Sequence, residues 1–260
     1  MKLLTLNTHS LIEDDYFKKL SVFINVIKKH SPDVIALQEV MQPINGRYIA
    51  RSKQIRVIGE IPLREGNHLV NILKLLPEYS GIWLGIKIAY DSYEEGIALL
   101  VKNKIESAHG IKLSAIQDYK NWHTRRALGV KIDKKWFYSV HFSWWHDEFS
   151  PFKDEYERLL RNMDLEDEIW LLGDFNAPAN VRDEGYDLVS KRWYDTYVLA
   201  KHKDEGITVK GKIDGWNMPN DKRIDFIFTN RCKDVYSSQV IFNGANEHIV
   251  SDHFGILVKV

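Results

Sequence analysis

The chain has a single cysteine, Cys232, and no excess of charge of either sign, because 36 lysines and arginines balance 36 aspartates and glutamates. A lone cysteine excludes an internal disulfide or a zinc ribbon and favours a reducing, cytoplasmic setting. Balanced charge removes the global positive field that draws duplex DNA or an acidic membrane. Nucleic acid is therefore the less favoured partner, although a local basic groove is compatible with this balance.

Long apolar runs are also missing from the sequence. None approaches the roughly 18 residues that a membrane-crossing helix needs, and residues 1–6 reach Asn7 too soon for a signal peptide. We therefore expect a soluble protein without a membrane partner. No repeat, low-complexity tract or Pro/Gly/Ser linker divides the 260 residues, so residues 1–260 are predicted to form one domain of open oligomeric state.

Short apolar, β-branched runs alternate with a few stretches of helical spacing, and these stretches predict helices at residues 16–30, 67–76 and 151–163. Connections between residues 83 and 142 are too short for crossover helices, so antiparallel hairpins are expected there. The pattern predicts an α/β (α+β) fold, a four-layer α/β/β/α sandwich of two mixed β-sheets packed face to face with helices outside. Residues 201–221 are predicted to form a long loop near the site. The predicted strands are residues 2–6, 34–37, 83–88, 97–101, 127–132, 136–142, 169–172, 224–228, 235–242 and 254–260.

The sequence Gly-Asp-Phe-Asn-Ala-Pro at residues 173–178 follows an apolar run, so Asp174 and Asn176 lie at the carboxyl end of a predicted strand. Two residues that are two apart on an extended backbone project to the same face. A carboxylate there can hold a water or a metal ion while the amide donates to a phosphoryl oxygen. Taken alone, a polar turn that ends a strand explains the motif equally well.

Polar residues also close two predicted strands near the N-terminus. Asn7 follows residues 2–6, and Glu39 comes shortly after residues 34–37. Amide and carboxylate oxygens are hard ligands that suit Mg²⁺ better than Zn²⁺. Because a glutamate at a strand end is ordinarily a solvated edge, this pair indicates a metal site only together with other motifs.

Near the C-terminus, Asp225 lies within an apolar strand, where a carboxylate is costly unless it is paired. His253 is the obvious partner, and a carboxylate satisfied by backbone amides is the alternative. Such groups could surround one phosphoryl group with cations and donors. The charge of a phosphoester transition state requires such an arrangement.

These motifs, in this order along nearly the whole chain, resemble the endonuclease/exonuclease/phosphatase superfamily. This superfamily includes pancreatic deoxyribonuclease, abasic-site endonucleases, neutral sphingomyelinases and inositol polyphosphate 5-phosphatases. The resemblance implies the two-sheet sandwich and Mg²⁺-dependent hydrolysis of a phosphoester, with Mn²⁺ as an alternative ion.

The resemblance also implies the residues of a metal site. Asn7 and Glu39 look like metal-site residues, and Asp252 adds a ligand directly or through water. Asp174 resembles the residue that orients or deprotonates the attacking water. His9 is a departure, because many nucleases of this superfamily carry an aspartate at that position, two residues after the asparagine.

A further group is implied by the same resemblance to act beside the phosphate. Asn176 looks like the phosphate-contacting asparagine, and His253 with Asp225 resembles the imidazole–carboxylate pair next to it. His141 corresponds to a second histidine of the site. Glu95 corresponds to the acidic residue that orients such a histidine, and the adjacent Glu94 is the alternative for this role.

The leaving group has to be inferred from two aromatic segments, residues 121–126 and 141–149. Indole faces suit the apolar faces of a pyranose, and an arginine can clamp a terminal phosphate. Stacked nucleobases, core packing and surface ion pairs are the alternatives for the same side chains. The residues in question are Trp122, Trp144, Trp145, Arg125 and Arg126.

Acidic residues outnumber basic ones around the second aromatic segment and just beyond it. They are expected to repel a polyanion that extends past the scissile phosphate, whereas one phosphate on a neutral sugar would tolerate them. These acids are Asp147, Glu148, Asp154 and Glu155.

Residues 90–98 and 136–147 resemble, more narrowly, the bacterial maltose 6′-phosphate phosphatases of this superfamily. This resemblance implies release of inorganic phosphate from a small phosphorylated sugar. A Mg²⁺-dependent nuclease or other phosphodiesterase acting on DNA or RNA is the alternative, but no basic stripe able to track several phosphates is evident. A catalytically silent sugar-phosphate-binding module is the second alternative, which the retained acids and histidines disfavour.

Overall fold

The computed structural model describes residues 1–50, 52–211 and 220–260. Fourteen strands and five α-helices are found in these residues, together with a 3-10 turn at Ser10–Ile12. The helices are α1 (Tyr16–His30), α2 (His68–Leu73), α3 (Phe152–Arg161), α4 (Gly185–Ser190) and α5 (Thr196–Leu199). The strands are β1 (Lys2–Asn7), β2 (Val34–Pro43), β3 (Ile55–Ile58), β4 (Ser80–Ala89), β5 (Tyr93–Val101), β6 (Ser107–Lys112), β7 (Arg126–Ile132), β8 (Lys135–His141), β9 (Glu168–Asp174), β10 (Tyr194–Asp195), β11 (His202–Lys203), β12 (Asp225–Thr229), β13 (Ser237–Ile241) and β14 (Gly255–Lys259).

The strands form two mixed sheets. The first has the order β11-β13-β14-β1-β2-β5-β4-β3, and the second has the order β10-β12-β9-β8-β7-β6. Strand β1 runs parallel to β2 and β8 runs parallel to β9, whereas most other neighbours are antiparallel. The predicted hairpins occur as β4–β5 and β7–β8.

Three apolar clusters define the layers of the molecule. One lies between the sheets and includes Leu128 and Trp170. Another joins the outer face of the first sheet to α1, whose Leu20, Phe23, Ile24 and Ile27 are buried at helical spacing. The third packs α3 on the outer face of the second sheet. The predicted α/β/β/α sandwich is therefore confirmed.

Strands β8 and β9 approach each other closely near their carboxyl ends. Gly173 has φ +154°, and a Cβ at this position would lie 2.0 Å from the carbonyl oxygen of Val140 on the neighbouring strand. Only glycine fits there without displacing the backbone. The close pairing sets His141 directly opposite Asp174, at the edge where the first strand of the other sheet also ends.

Two predictions about local structure were wrong. Strand β2 does not end before Glu39 but continues to Pro43, because a bulge between Leu37 and Val40 absorbs the extra residues and gives Glu39 a φ of +52°. The predicted loop 201–221 contains β11 and an antiparallel bridge between Val209 and Lys222. Residues 212–219 of that segment lie outside the described residues.

Periodicity did not predict the edge strands β3 and β6 or the short elements α4, α5, β10 and β11. Four of these elements, β3, α5, β10 and β11, have four residues or fewer, so a repeat in the hydrophobic pattern has little length in which to appear, and the edge strand β6 has one buried residue. In the part of the chain that the structure describes, no helix is both long enough and apolar enough to cross a membrane.

Candidate active site

The carboxyl ends of strands from both sheets surround one cavity of about 500 Å³. Most residues predicted for the site contribute to its wall, and two others, Asn7 and Asp225, lie buried and bonded directly to that wall. The predicted residues that line the cavity are Glu39, Glu95, Trp122, Arg125, His141, Trp144, Asp174, Asn176, Asp252 and His253.

Asp174 ends β9 and is the common partner of the groups around it. Its Oδ2 accepts a hydrogen bond of 3.2 Å from the Asn7 amide and lies 3.6 Å from His141 Nε2 and 3.7 Å from His253 Nε2. Its Oδ1 accepts the backbone N–H of Asn176 at 2.8 Å. Burial raises the pKa of Asp174 to about 7, and the positive charge of His253 opposes that shift. A carboxylate in this setting can accept a proton near neutral pH.

Asn176 reaches the cavity in a different way from the one expected. Its φ of +46° shows a turn instead of the extended backbone that was predicted to align it with Asp174. The side-chain amide donates to the carbonyl of Phe142 at 2.9 Å, which anchors the turn to the end of β8. Asn176 is thus fixed in the cavity wall by two hydrogen bonds, one from its backbone N–H to Asp174 and one from its side-chain amide to Phe142.

His253 and Asp225 form the pair that the sequence suggested. Nδ1 of His253 lies 2.9 Å from Asp225 Oδ2, and both residues are buried. Burial alone would lower the pKa of His253, but the carboxylates of Asp225 and Asp174 raise it to about 10. The imidazole is therefore held protonated and offers a donor at Nε2.

His141 has the opposite protonation. Burial, reinforced by the positive charges of Arg125, Lys87 and His253, holds its pKa well below the usual range. A neutral imidazole and an imidazolium therefore flank the Asp174 carboxylate. This arrangement places one fixed positive charge and two ring nitrogens around the space where a phosphoryl group would fit.

Carboxylates that could hold a cation gather on the first sheet. Burial raises the pKa of Glu39, and the negative charges of Glu95 and Asp252 raise it further. Asn7 donates to Glu39 Oε1 at 2.9 Å, so the amide that was predicted to be a metal-site residue holds both Glu39 and Asp174 in place. Mutually repelling carboxylate oxygens are a donor set that fits Mg²⁺.

Two groups of described residues bring three candidate ligands within 4.8 Å of one another, Asp174 with Asp225 and His253, and His9 with Glu13 and Asp252. In the first group the protonated His253 is a hydrogen-bond donor. In the second, burial would lower the pKa of His9, but Glu13, Asp252 and Glu39 raise it to about 9. Both imidazoles are thus cationic, and the oxygen ligands around Glu39 are the better match for a hard cation.

Glu95 does not meet His141 as predicted. Its Oε1 lies 3.5 Å from Lys87 Nζ, and no hydrogen bond joins it to His141 among the described residues. The preceding Glu94 lies outside the cavity wall and pairs with Arg64 at 2.7 Å and with Gln42 at 2.6 Å. Of the two adjacent glutamates, Glu95 is therefore the one at the cavity.

Lys87 is a cavity residue that the sequence analysis missed. It lies on β4 and is 5% exposed, in the otherwise apolar stretch Trp-Leu-Gly-Ile-Lys-Ile. A charged side chain inside an apolar strand is costly unless it has a partner. The same reasoning singled out Asp225, and it could have identified Lys87.

Of the tryptophans and arginines predicted to bind the substrate, some line the cavity and others lie away from it. Trp122 and Trp144 line the cavity with their rings edge to face at 6.1 Å, whereas Trp145 packs against Phe152 of the core. Arg125 lines the cavity. Arg126 lies instead beside Gly59, where its Nη1 is 3.6 Å from the position that a Cβ would take. Successive residues on a strand point to opposite faces, so the two neighbours separate.

The acids predicted to shield the cavity from polyanions are partly elsewhere. Asp147 is buried and pairs with His123 at 3.1 Å, and Glu155 is buried beneath Ser143. Glu148 is exposed, and so is the side chain of Asp154 at 55%. None of these four acids lines the cavity, whose wall carries Asp91 and the carboxylates already named together with cations, so the structure gives no support to charge repulsion by this segment.

Comparisons with known proteins agree on one family. The family model described as "Endonuclease/Exonuclease/phosphatase family" matches residues 4–253. An endonuclease/exonuclease/phosphatase family protein from Leptotrichia buccalis C-1013-b is 32% identical, with a TM-score of 0.89, and the match covers 100% of this chain and 98% of that one. A search of curated proteins found no match.

More distant structures share the fold. The mannosyl-6-phosphatase Bt3783 of Bacteroides thetaiotaomicron VPI-5482 has a TM-score of 0.68 at 18% identity, over 100% of this chain and 98% of that one. A 3′ phosphatase, NExo from Neisseria, bound to product DNA hairpin, has a TM-score of 0.62 at 17% identity over the same shares. The family model and the relative from Leptotrichia together show that this chain belongs to the endonuclease/exonuclease/phosphatase family.

Proposed function

We propose that this protein is a Mg²⁺-dependent phosphomonoesterase that releases inorganic phosphate from a small phosphorylated sugar in the cytoplasm. Members of the family are metal-dependent hydrolases. The observation that carries the proposal is the cavity, in which a phosphate-sized cluster of donors and acids adjoins a wall formed by Trp122 and Trp144. Its volume of about 500 Å³ suits a small ligand.

Each catalytic group has a role that its surroundings support. Asp174 accepts a proton from the water that attacks phosphorus. The protonated His253, held by Asp225, donates to a non-bridging phosphoryl oxygen, and the neutral His141 offers a further ring nitrogen beside it. The new bond joins the water oxygen to phosphorus, the bond to the sugar oxygen breaks, and that oxygen takes up a proton from solvent at the open mouth.

Glu39, Asp252 and Glu95, positioned in part by Asn7, would hold the metal ion. When bound, Mg²⁺ or Mn²⁺ supplies positive charge against the phosphoryl oxygens. The carboxylates fit this task because burial and the negative charges of Glu95 and Asp252 already disfavour the ionised form of Glu39. A cation removes that repulsion.

A sugar is the leaving group that the rim supports best. Trp122 is 51% exposed and meets Trp144 edge to face at an interplanar angle of 64°, which leaves a flat apolar face beside the polar cluster. Such faces pack against pyranose rings. The fold neighbour Bt3783 is named as a mannosyl-6-phosphatase, and the resemblance of residues 90–98 and 136–147 makes maltose 6′-phosphate the first substrate to test.

A nuclease or a DNA phosphatase is the second candidate function. Indoles also stack nucleobases, Lys120 adds a positive charge at the cavity, and one fold neighbour is a 3′ phosphatase bound to a DNA hairpin. A silent sugar-phosphate-binding module is a third candidate. The full set of acids and histidines around one cavity disfavours it.

The deciding experiment is a Mg²⁺-dependent phosphate-release assay on a panel of substrates. The panel contains maltose 6′-phosphate, mannose 6-phosphate, glucose 6-phosphate, a 3′-phosphorylated DNA hairpin and plasmid DNA. We expect release from a sugar phosphate at least about 100-fold more efficient than release from or nicking of DNA. The Asp174→Asn variant should lose about 10³-fold in kcat while melting at or above the wild-type temperature, because it removes a buried charge.

Comparable efficiency on DNA would replace the sugar-phosphatase proposal with the nuclease or DNA-phosphatase one. Binding of a sugar phosphate without any turnover would instead favour the silent module. Wild-type activity in Asp174→Asn would show that another group activates the water.

A further inference from the structure

Two cations that the mechanism above does not use lie side by side in the cavity wall. Lys87 and Arg125 are each 5% exposed. Both are fixed on one main-chain carbonyl, that of Trp122, which accepts from Lys87 Nζ at 2.8 Å and from Arg125 Nη1 at 3.1 Å. They come from different segments, β4 and the residue just before β7, so the shared carbonyl holds two distant parts of the chain together.

Carboxylates match the two positive charges of the pair only in part, because the buried Glu155 attracts Arg125 from beyond ion-pair distance. Glu95 lies 3.5 Å from Lys87 Nζ, and within the described ranges no carboxylate comes within ion-pair distance of Arg125. The buried Nε of Arg125 has no hydrogen-bond partner there. Buried guanidinium donors are normally satisfied, so an anion bound in the cavity would supply the acceptor that Arg125 can use.

The position of the pair tells which anion would complete it. Both cations line the same cavity as His141 and Asp174, so they face the same space as the ring nitrogens around Asp174. A phosphomonoester at neutral pH carries nearly two negative charges, whereas a phosphodiester carries one. Lys87 and Arg125, added to a metal ion and the protonated His253, bring more positive charge than the single negative charge of a phosphodiester would balance.

We propose that Lys87 and Arg125 bind the second negative charge of a phosphomonoester and thereby determine the preference of this site for monoesters over diesters. This inference rests on the proposed phosphomonoesterase function. It assigns the preference to two residues outside the metal ligands and outside the group that activates water. Because both cations are fixed on the carbonyl of Trp122, the bound phosphate would lie next to the indole that we assign to the sugar.

The kinetic test compares p-nitrophenyl phosphate with bis(p-nitrophenyl) phosphate, which share a leaving group and differ in charge. Lys87→Met keeps the length of the side chain and removes its charge. We expect kcat/KM for the monoester to fall about 10- to 100-fold and that for the diester to change by less than about 3-fold. Arg125→Gln provides a second variant with the same expectation.

Lys120→Met is the matched control, because it removes an exposed lysine from the wall of the same cavity. It should change the two substrates in parallel. Equal losses on both substrates in Lys87→Met and Arg125→Gln, or no loss on either, would overturn the proposal. Melting temperatures of all variants identify any that fail to fold.

A binding measurement separates this inference from the proposed function. Calorimetry with inorganic phosphate in the presence of EDTA measures the affinity of the protein's own cations for phosphate, without metal or turnover. Wild-type protein and Lys120→Met should bind phosphate with similar affinity, and Lys87→Met should bind at least about 10-fold more weakly. If wild-type protein hydrolyses no sugar phosphate yet shows this pattern, the proposed function fails and the anion site stands. Equal phosphate affinities of wild type and Lys87→Met would contradict the proposed anion site, whichever substrate the enzyme hydrolyses.

Discussion

At the scale of single residues, the polar side chains of the cavity form a row in which negative and positive charges alternate. Asp225 pairs with His253, whose other ring nitrogen faces Asp174 at 3.7 Å. Because the pKa of His253 is raised to about 10, the imidazolium keeps its proton throughout the neutral range. Its donor function should be lost only when the pH rises through that pKa.

This linkage predicts the alkaline side of the pH–rate profile. In Asp225→Asn the carboxylate that raises the pKa of His253 is gone, so the pKa falls and the imidazole loses its proton at lower pH. We expect the alkaline limb of kcat/KM for a sugar phosphate to move toward neutrality by at least about one pH unit. Profiles measured between pH 6 and 10 at saturating Mg²⁺ would reveal this. An unchanged limb in the variant would mean that His253 does not act as the protonated donor.

Backbone strain is a second feature at this scale. His9, Glu39 and Asn176 line the cavity with φ values of +45°, +52° and +46°. For residues other than glycine, this conformation costs roughly 1 kcal/mol or more each. Such strain persists only where surrounding contacts enforce it. At Glu39 the bulge of β2 does so, and at Asn176 the contacts to Asp174 and Phe142 do so.

At the scale of elements, helix α3 fixes the loop that carries Trp144. Glu155, fully buried on α3, accepts from the backbone N–H of Ser143 at 2.9 Å and from its hydroxyl at 3.0 Å. The hydroxyl of Ser150 donates to the same carboxylate at 2.5 Å. One side chain therefore joins both ends of the loop between β8 and α3. Burial raises the pKa of Glu155 to about 7 despite these bonds.

That shift predicts a dependence of stability on pH. A carboxyl whose pKa is higher in the folded than in the unfolded protein binds its proton more tightly when folded. Its contribution is largest below about pH 4.5 and is lost as the pH rises to about 7. Relative to Glu155→Gln, the wild type should thus lose about 3 kcal/mol of unfolding free energy between these limits. Urea unfolding at several pH values would measure it, with the exposed neighbour Asp154→Asn as control. A constant difference between wild type and Glu155→Gln would contradict the buried-carboxyl account.

The elements also show where sequence reasoning reached its limit. Asp225 and Gly173-Asp174 could be identified because a charge in an apolar strand and a polar motif at its end stand out from the periodic pattern. Lys87 is also a charge in an apolar strand, but β4 is buried on both faces, so alternation does not tell whether its side chain faces the cavity. The bulge at Glu39 was missed because the polar residues Gln38 and Glu39 were interpreted as the end of the strand, and nothing in the sequence marks a positive φ at Glu39.

At the scale of the whole molecule, the site is divided between the two sheets. The first sheet supplies Asn7, Glu39 and Glu95, and the second supplies His141 and Asp174. A buried polar bridge joins the sheets close to this edge, where the Gln38 amide donates to Ser139 Oγ at 3.0 Å and that hydroxyl donates to the carbonyl of Leu37 at 3.2 Å. The distance between the proposed metal ligands and the proposed water-activating groups therefore depends on how the sheets pack.

The sandwich itself could be predicted because each long strand and helix repeats its pattern over enough residues to be read, and short connections limit how neighbours pair. The convergence of distant motifs could not be derived from periodicity and was inferred from the family resemblance. That the chain forms a single domain stays a prediction, as does its cytoplasmic location.

The division of the site predicts that metal binding stabilises the whole molecule. Without a cation, Glu39 is buried beside the negative charges of Glu95 and Asp252, which costs folding free energy. A metal ion that binds only the folded state, at about 100 times its Kd, adds about 2.7 kcal/mol, or a rise in Tm of about 5 to 10 °C for a chain of this size. Glu39→Gln should melt at or above the wild-type temperature in EDTA and lose most of the rise with Mg²⁺. Glu166→Gln is the control, because Glu166 is an exposed acid just before β9, at the opposite end of that strand from Asp174. This variant should keep the full rise in Tm. If Mg²⁺ raises the melting temperature of Glu39→Gln as much as that of the wild type, the cation binds elsewhere. The carboxylates of the first sheet would then not contribute to the stabilisation by metal.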